Sequence, residues 1–221
     1  IEKGEVQLSF NIPPKDAAEL AEMMEANSTP IANAINCVGL NYNFEPFQDP
    51  DVRKAVAYAI PYEAIFEAAA FGRGNPLWGE ETERSDIAWP RKTGYMEDLD
   101  KAKEHLAKSG YPDGFEVPFS ISLNQLDWPY YFFFWAYMDG HLYNSSNYRN
   151  EEIETLVDTT LHIPVDDPNY APNVKRMFEI ALEDLPRIPL WQPALHVALN
   201  GATDYEFWFH RQLDARPIKP A

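Results

Sequence analysis

The stretch from 172 to 200 constrains the fold of this chain more than any other part of its sequence. It consists of PNVKRMFEIALEDL, one proline, and then RIPLWQPALHVALN. In the first segment, apolar residues recur with helical spacing and form one stripe: Val174, Met177, Phe178, Ala181, Leu182 and Leu185. The stripe predicts a core helix rather than a ligand groove. The second segment is β-like, and because Pro189 and Pro193 cannot donate backbone hydrogen bonds, it suits an edge or crossover strand better than a sheet centre.

Strands and helices alternate along the rest of the chain as well. The patterns predict strands over 4–12, 34–43 and 115–122, and helices over 15–26, 50–60, 61–71, 99–109 and 151–161. Asp49, Asp98 and Asn150 stand where helix N-caps belong, and Gly110 stands where a left-handed C-cap belongs. This alternation is typical of the α/β fold class.

An aromatic block, DWPYYFFFWAYMDG at 127–140, holds eight aromatic residues in fourteen positions. Its uncharged run of eleven residues is too short for a membrane-spanning helix, which needs about 20. The aromatic residues therefore belong to a core, a pocket wall or both. Trp128, Trp135 and Tyr137 carry a polar group that can orient a ligand, which makes them the pocket candidates. The phenylalanines at 132–134 lack such a group and are expected to pack internally.

Charge and histidine placement exclude several classes of function. The formal net charge is -17, and the 35 acidic and 18 basic residues are spread along the sequence, as on a solvated surface. A nucleic-acid-binding face would need a coherent basic patch, which this sequence lacks. The five histidines are scattered without metal-ligand spacing, so we predict neither a metal nor another cofactor.

Cys37 is the one cysteine of the chain, which excludes an internal disulfide. It lies in an apolar segment, AINCVGL, where a thiol behaves as a small hydrophobic group. We expect this thiol to be buried and unreactive.

The sequence contains no phosphate-binding loop, nucleophile elbow or metalloprotease motif. A pocket lined by aromatic residues and a few charges, without a catalytic motif, indicates a binding protein rather than an enzyme. The alternative is a secreted carbohydrate-active protein, either a glycoside hydrolase or a sugar binder, because aromatic platforms and carboxylate pairs serve that chemistry.

Four stretches, taken in their order along the chain, carry a family resemblance. They are GLNYNFEPFQDPDVRKAVAYAIPYEAI, DLDKAKEHLAKSGYPDGFEV, NYRNEEIETLVDTTL and RIPLWQPALHVAL. Together they resemble the extracytoplasmic solute-binding proteins of dipeptide and oligopeptide ABC importers, family 5. The resemblance implies a two-lobed α/β protein with a periplasmic-binding-protein-like fold, which closes on its solute like a clamshell.

The same resemblance implies how the chain is divided. Residues 1–40 and 194–221 are expected to belong to the first lobe, and 41–193 to the second, C-terminal lobe. The chain is expected to begin inside the first lobe, so that about half of a full-length protein, with its export signal, precedes residue 1. A further segment of the family is expected to be missing at 125/126.

The start of the aromatic block resembles the family motif W-x-x-D-Y-P-D-P, whose first Asp holds the α-ammonium of a peptide ligand. This implies that Asp127 binds the ligand amine beside the three pocket aromatics. Tyr130 stands where the motif has its second Asp. The alternative role for Asp127 is a turn ahead of Pro129, because Asp is favoured in turns.

The partners follow from the resemblance too. It implies a monomer in the periplasm, or outside the cell on a membrane anchor, that binds a small peptide or another small solute. The solute would be delivered to an ABC permease in the membrane. No nucleic-acid partner is expected.

Overall fold

The structure of the protein, a computed structural model, describes residues 1–31, 34–80, 91–117, 121–125, 133–134, 136–204 and 219–220. Its helices are α1 (Pro14–Leu20), a 3-10 helix (Glu45–Gln48), α2 (Pro50–Ala59), α3 (Tyr62–Ala70), α4 (Leu99–Lys108), α5 (Glu151–Leu161) and α6 (Tyr170–Asp184). Its strands are β1 (Leu8–Phe10), β2 (Glu25–Pro30), β3 (Ala34–Gly39), β4 (Gly74–Pro76), β5 (Ile121–Gln125), β6 (Arg187–Leu199), β7 (Thr203–Asp204) and β8 (Lys219–Pro220). Helices and strands alternate, which confirms the predicted α/β class.

These elements belong to two compact units. Unit 1 comprises Ile1–Ala32, Glu63–Pro76 and Trp191–Ala221, and unit 2 comprises Asn33–Tyr62 and Leu77–Leu190. Strand β6 therefore begins in unit 2 and continues into unit 1. The lobe boundaries implied by the family resemblance, 1–40 with 194–221 against 41–193, stay a prediction.

Unit 1 is organised around the second part of β6. Strand β1 pairs antiparallel with it at Leu8↔Leu199, and β2 pairs antiparallel with the same residue at Glu25↔Leu199. A strand has two hydrogen-bonding edges, so β1 and β2 lie on opposite sides of β6. This part of β6 is therefore a central strand.

Two positions were predicted for β6 from its prolines, an edge or a crossover strand, and the edge position is thus wrong, whereas β6 does run from unit 2 into unit 1. A proline cannot donate a backbone hydrogen bond, but its carbonyl still accepts one. The carbonyl of Pro193 accepts from the N–H of Ile31 at 2.8 Å. The missing donors remove single bonds from the sheet without preventing strands from pairing on both sides.

Unit 2 is built around one apolar cluster, to which β3, α5, α6 and the end of the aromatic block contribute. Its buried members are Ile35, Cys37, Leu77, Phe133, Ala136, Tyr137, Tyr148, Ile153, Val157, Tyr170, Val174, Met177, Phe178, Ile180 and Ala181. Strand β3 pairs antiparallel with β5, from Ala34↔Gln125 to Val38↔Ile121. The apolar stripe on α6 is core, as predicted, except that Leu182 is only half-buried.

Three of the four predicted helix caps are confirmed. The Asp49 carboxylate accepts from the N–H of Asp51, Asp98 caps α4 through Lys101, and Asn150 caps α5. The left-handed C-cap expected at Gly110 is wrong, because α4 ends at Lys108 with Ser109 as its C-cap and Gly110 has no positive φ. Its N–H instead donates to Oδ2 of Asp49 at 3.0 Å, a bond to the start of another helix.

Several predicted elements are shorter in the structure, including the strands expected over 4–12 and 34–43, which are observed as Leu8–Phe10 and Ala34–Gly39. The helix expected over 15–26 ends at Leu20, and β2 begins at Glu25. Pairing of β2 with β6 therefore overrides the helical pattern at the end of that stretch. The strand expected over 115–122 is irregular at 115–117, and the described strand begins at Ile121.

Candidate functional site

The ligand-contacting residues predicted from the sequence fall mostly outside the described residues. This holds for Asp127, Trp128 and Trp135. Tyr137 is described, is 1% exposed and belongs to the core cluster of unit 2. Its contact with a ligand stays a prediction. The internal packing expected for the phenylalanines at 132–134 is confirmed for Phe133, which is buried, and for Phe134, which packs against the cluster, whereas 132 lies outside the described residues.

Tyr137 lies between two aromatic rings and a cation. Its ring centroid is 5.0 Å from that of Phe133 and 5.8 Å from that of Tyr148. The guanidinium carbon of Arg187 is 6.0 Å from the centre of the Tyr137 ring. Burial raises the pKa of Tyr137 well above its ordinary value, although the positive charge of Arg187 acts in the opposite direction. Tyr137 therefore keeps its proton at neutral pH.

Asp184, at the end of α6, is the centre of a hydrogen-bond network. Its Oδ2 accepts from the Tyr148 hydroxyl at 2.5 Å and from Nδ2 of Asn150 at 3.1 Å. Its backbone carbonyl accepts from the Tyr42 hydroxyl at 2.7 Å and from Nε of Arg53. Burial raises the pKa of Tyr148, and its bond to Asp184 raises it further. These hydrogen bonds have a structural role: they connect the end of α6 to Tyr42, Arg53, Tyr148 and Asn150.

Arg53 shows how a buried arginine is satisfied in this unit. It is 5% exposed. Its Nη1 donates to the carbonyls of Phe47 and Gln48 at 2.8 and 2.9 Å, and its guanidinium carbon is 4.8 Å from the centre of the Tyr42 ring. Because Nε of Arg53 also donates to the backbone carbonyl of Asp184, both sides of the guanidinium form hydrogen bonds. Arg53 thus ties the 3-10 helix and α2 to the end of α6.

Arg187, the first residue of β6, is satisfied much less completely. It is 1% exposed. Its Nη2 donates to the carbonyl of Tyr143 and approaches Oγ of Ser145 at 3.3 Å. Within the described part of the chain, Nε and Nη1 have no hydrogen-bond partner. Buried polar atoms are nearly always paired in native proteins, so this arrangement needs a physical reason.

The loop that meets Arg187 is held in place by Asn144. The amide of Asn144 donates to the carbonyls of Met138 and Tyr148, at 2.9 and 2.8 Å, and accepts from the Tyr148 N–H at 3.1 Å. Oγ of Ser146 donates to the carbonyl of Pro186 at 3.0 Å. These bonds fix the acceptors that Nη2 of Arg187 uses.

A separate cleft in unit 2 has a volume of about 430 Å³. Its lining consists of Lys54, Tyr58, Arg91, Thr93, Gly94, Tyr95, Glu179, Leu182 and Glu183. Burial raises the pKa of Tyr95 to about 12, so this phenol is neutral at physiological pH. The cleft carries charges of both signs, and Arg176 neighbours both of its glutamates, at 3.6 Å from Glu179 and 3.9 Å from Glu183.

No group of three or more His, Cys, Asp or Glu residues within the described residues could hold a metal ion. No helix among them is long and apolar enough to cross a membrane. Cys37 is 0% exposed, so its predicted burial is confirmed, and its lack of reactivity stays a prediction.

Sequence reasoning missed both buried arginines. Arg53 lies beside Val52 on the buried side of α2, and Arg187 stands directly before the apolar run Ile188–Trp191. An isolated charge within an apolar strand pattern was the available signal, because charged residues are rarely buried unless they are paired.

Comparison with known proteins gives one family match, two curated relatives and one solved structure. The sequence model of one family, bacterial extracellular solute-binding proteins, family 5 Middle, matches residues 1–132. The chain is 32% identical over 130 residues to the glutathione-binding protein GsiB of Salmonella choleraesuis (strain SC-B67), covering 56% of this chain and 24% of GsiB. It is 35% identical over 117 residues to heme-binding protein A of Haemophilus influenzae (strain ATCC 51907 / DSM 11121 / KW20 / Rd), covering 46% of this chain and 20% of that protein.

Among solved structures, HbpA2 of Haemophilus parasuis matches with a TM-score of 0.80 at 17% identity, covering 100% of this chain and 55% of HbpA2.

The family match covers more than half of the chain, which therefore belongs to the bacterial extracellular solute-binding proteins, family 5. The chain spans only 24% and 20% of the two curated relatives. The predicted family and the periplasmic-binding-protein-like fold are confirmed, and at 17% identity the structural likeness shows the fold alone. The family binds solutes, and these matches give no support to the carbohydrate-active alternative.

Proposed function

We propose that the protein is the substrate-binding component of an ABC importer, and that it captures a small peptide or a related small solute for a membrane permease. The family match over residues 1–132 is the observation that carries this proposal. One relative is named for glutathione, which is chemically a short peptide, and the other is named for heme. Peptides are therefore the first class of ligand to test.

The protein acts by binding alone and has no enzymatic activity in this proposal. It works as a monomer outside the cytoplasm, in the periplasm or held at the membrane by an anchor. No cofactor takes part.

We further propose that the aromatic block supplies the ligand contacts. Asp127 holds the ligand amine, because a carboxylate beside aromatic walls is poorly hydrated and forms strong charge-assisted hydrogen bonds. Trp128 and Trp135 form the wall of the pocket. Tyr137 is the third aromatic contact of this proposal, and its ring packs against that of Phe133 at a centroid distance of 5.0 Å.

The test is ligand binding by the protein purified at its natural length. Thermal unfolding and isothermal titration calorimetry are measured with tetra-alanine, glutathione and hemin, and hydrolysis is assayed on a panel of glycans. A ligand present at 100 times its Kd should stabilise the folded state by about 2.7 kcal/mol. Saturable binding of tetra-alanine or glutathione without turnover supports the proposal.

Two results would overturn it. Hydrolysis of any glycan would show that the protein is a carbohydrate-active enzyme, which is the alternative hypothesis. Failure of every solute to shift the unfolding temperature, in protein whose circular dichroism is native, would remove the solute-binding role.

A further inference from the structure

Asn200 and Gly201 directly follow β6, and Gly201 is the one glycine of the chain that comes after an asparagine. This order matters chemically, because a backbone nitrogen can attack the side-chain carbonyl carbon of a preceding asparagine and release ammonia. Glycine hinders the attack least, since it has no Cβ. Asn200 is half-buried, Gly201 is exposed, and a Cβ on Gly201 would meet no atom within 4 Å. Water therefore reaches both residues.

The carboxamide of Asn200 is folded toward the backbone that follows it. Its Oδ1 accepts a hydrogen bond from the N–H of Ala202 at 3.0 Å, which forms an Asx turn across Gly201. The turn places the side-chain carbonyl beside the peptide unit that contains the Gly201 nitrogen. The same bond directs a donor at the oxygen that becomes negative when the carbonyl is attacked. Ala202 thus stabilises the charge that the reaction develops.

The N–H of Gly201 is free to act as the nucleophile. In the described part of the chain no hydrogen bond uses it. The φ of Gly201 is 82°, in the left-handed region that glycine adopts without strain, so the turn persists in the folded state. The leaving group is Nδ2 of Asn200, which donates to the carbonyl of Val6 at 3.2 Å in an exposed contact. That bond is at the long end for an N–H donor and delays departure little.

Asn41 shows that an Asx turn by itself does not make an asparagine reactive. Its Oδ1 accepts from the N–H of Asn43 at 3.0 Å, which is the same turn at the same distance. The residue inside this turn is Tyr42, whose side chain crowds the nitrogen. The N–H of Tyr42 also donates to the carbonyl of Ser146 at 2.8 Å. Attack by the Tyr42 nitrogen would break that bond, so Asn41 is a matched control for Asn200.

We propose that Asn200 is a site of covalent modification, where the turn closed by Ala202 promotes deamidation of the folded protein and the product loosens β1 from β6. The Gly201 nitrogen loses its proton to hydroxide and attacks Cγ of Asn200. A C–N bond forms and closes a succinimide ring, the Cγ–Nδ2 bond breaks, and the departing nitrogen takes a proton from water and leaves as ammonia. Water then opens the ring, at Cγ to give aspartate or at the backbone carbonyl carbon to give isoaspartate.

The product carries a carboxylate where Asn200 has an amide, and this changes the contacts of the neighbouring segment. The bond from Nδ2 to the carbonyl of Val6 is lost, and oxygen then faces oxygen. Isoaspartate also adds a methylene to the main chain directly after the Asn200 N–H, which donates to the carbonyl of Gln7 at 3.1 Å. Both bonds join the segment before β1 to the end of β6. Deamidation therefore weakens the attachment of β1 in unit 1.

The first test follows deamidation in the folded wild-type protein. The protein is incubated in mildly alkaline buffer made with ¹⁸O-enriched water, its circular dichroism is monitored, and the products are located by peptide mapping. Aspartate and isoaspartate carrying ¹⁸O should accumulate at Asn200 about 10-fold faster than at Asn41, because the Tyr42 N–H must first give up its bond. A rate at Asn200 no greater than that at Asn41 would overturn the proposal.

The second test measures the contribution of the turn. The unfolded reference is a synthetic peptide with the sequence of residues 197–204, VALNGATD. Asn200 in the folded protein should deamidate about 2-fold to 10-fold faster than in the peptide, as one hydrogen bond to the developing charge would produce. A folded rate equal to or below that of the peptide would show that the Ala202 N–H does not assist, and the proposal would be wrong.

The third test isolates the consequence of the modification. Asn200→Asp reproduces one product, and Asn169→Asp, at an exposed position in unit 2, adds the same charge elsewhere. Amide hydrogen exchange of β1 should be faster in Asn200→Asp than in wild type and unchanged in Asn169→Asp. Exchange of β1 that is the same in wild type and Asn200→Asp would overturn the second part of the proposal.

Discussion

The hydroxyl of Tyr148 donates a hydrogen bond of 2.5 Å to Oδ2 of Asp184, a residue 36 positions further along the chain. Asn150 donates to the same oxygen through Nδ2, while its Oδ1 caps α5 by accepting from the N–H groups of Glu152 and Ile153. The start of α5 and the end of α6 are thereby joined through one carboxylate. Asn150 therefore both caps α5 and takes part in the tertiary contact between α5 and α6.

Removing the hydroxyl in Tyr148→Phe should destabilise the protein. A hydrogen bond to a charged group contributes about 1.5–3 kcal/mol, and the loss leaves Asp184 with Asn150 as its remaining side-chain donor. The free energy of unfolding is measured by urea denaturation. Tyr143→Phe, at a residue that is 50% exposed, is the matched control. Equal effects of the two variants would contradict a structural role for the Tyr148 bond.

Buried tyrosines should resist ionisation at alkaline pH. Burial raises the pKa of Tyr42, Tyr62, Tyr137 and Tyr148 above the ordinary value of 10.0. The folded state therefore holds protons that the unfolded state releases, and stability is lost as the pH rises above about 10. Phenolate absorbance and circular dichroism are recorded together. Ionisation of every tyrosine near pH 10 in a protein that keeps its native circular dichroism would refute this expectation.

His196 should make the protein sensitive to acid. It is 2% exposed in unit 1, its Nδ1 lies 2.9 Å from Oγ of Ser28, and Arg73 donates to the same hydroxyl. Burial, with the Arg73 charge, lowers the pKa of His196. Its contribution to stability is present above the pKa of an unfolded histidine and is lost as the pH falls through the lower, folded value.

The check is the stability of wild type and His196→Asn between pH 7 and pH 5. The variant should lose less stability over this interval, because the titrating group is gone. His162→Asn, at an exposed position, should follow the wild type. Parallel pH profiles for wild type and His196→Asn would exclude His196 as the acid-sensitive group.

Gly74 should tolerate no side chain. Its φ is 153°, and a Cβ at this position would lie 2.6 Å from the carbonyl oxygen of Gln192 in the paired strand. Gly74→Ala should therefore lower the free energy of unfolding by about 1–3 kcal/mol. Gly201→Ala is the control, since its φ is 82° and no atom lies within 4 Å of the new Cβ. If both variants lose the same stability, the close approach of Gln192 has no effect.

Asp127→Asn should weaken binding of amine-bearing solutes with little change in the fold. Loss of one partner of a buried charge pair costs about 2–4 kcal/mol of affinity. Calorimetry compares tetra-alanine with its N-acetyl form in wild type, in Asp127→Asn and in the exposed control Asp139→Asn. Equal binding of the acetylated and free-amine peptides by the wild type would remove the amine-binding role of Asp127.

The helix starts show which features local sequence can predict. Asp49, Asp98 and Asn150 cap helices as expected because each cap is a bond between residues two or three positions apart. The core face of α6 was predictable for the same reason, since helical spacing alone places its apolar residues together. The aromatic block was recognised as a feature, but the positions of Asp127, Trp128 and Trp135 lie outside the described residues.

The sequence by itself determined the α/β class, the helix starts, the apolar faces and the family, because these depend on periodicity, on short-range hydrogen bonds and on ordered motifs. Only the tertiary structure decided that β6 has strands on both sides, that Gly110 bonds to Asp49 and that Arg187 is buried with unpaired donors. Each of these outcomes joins residues far apart in the chain. Their energies come from burial and pairing between distant segments, which no local pattern encodes.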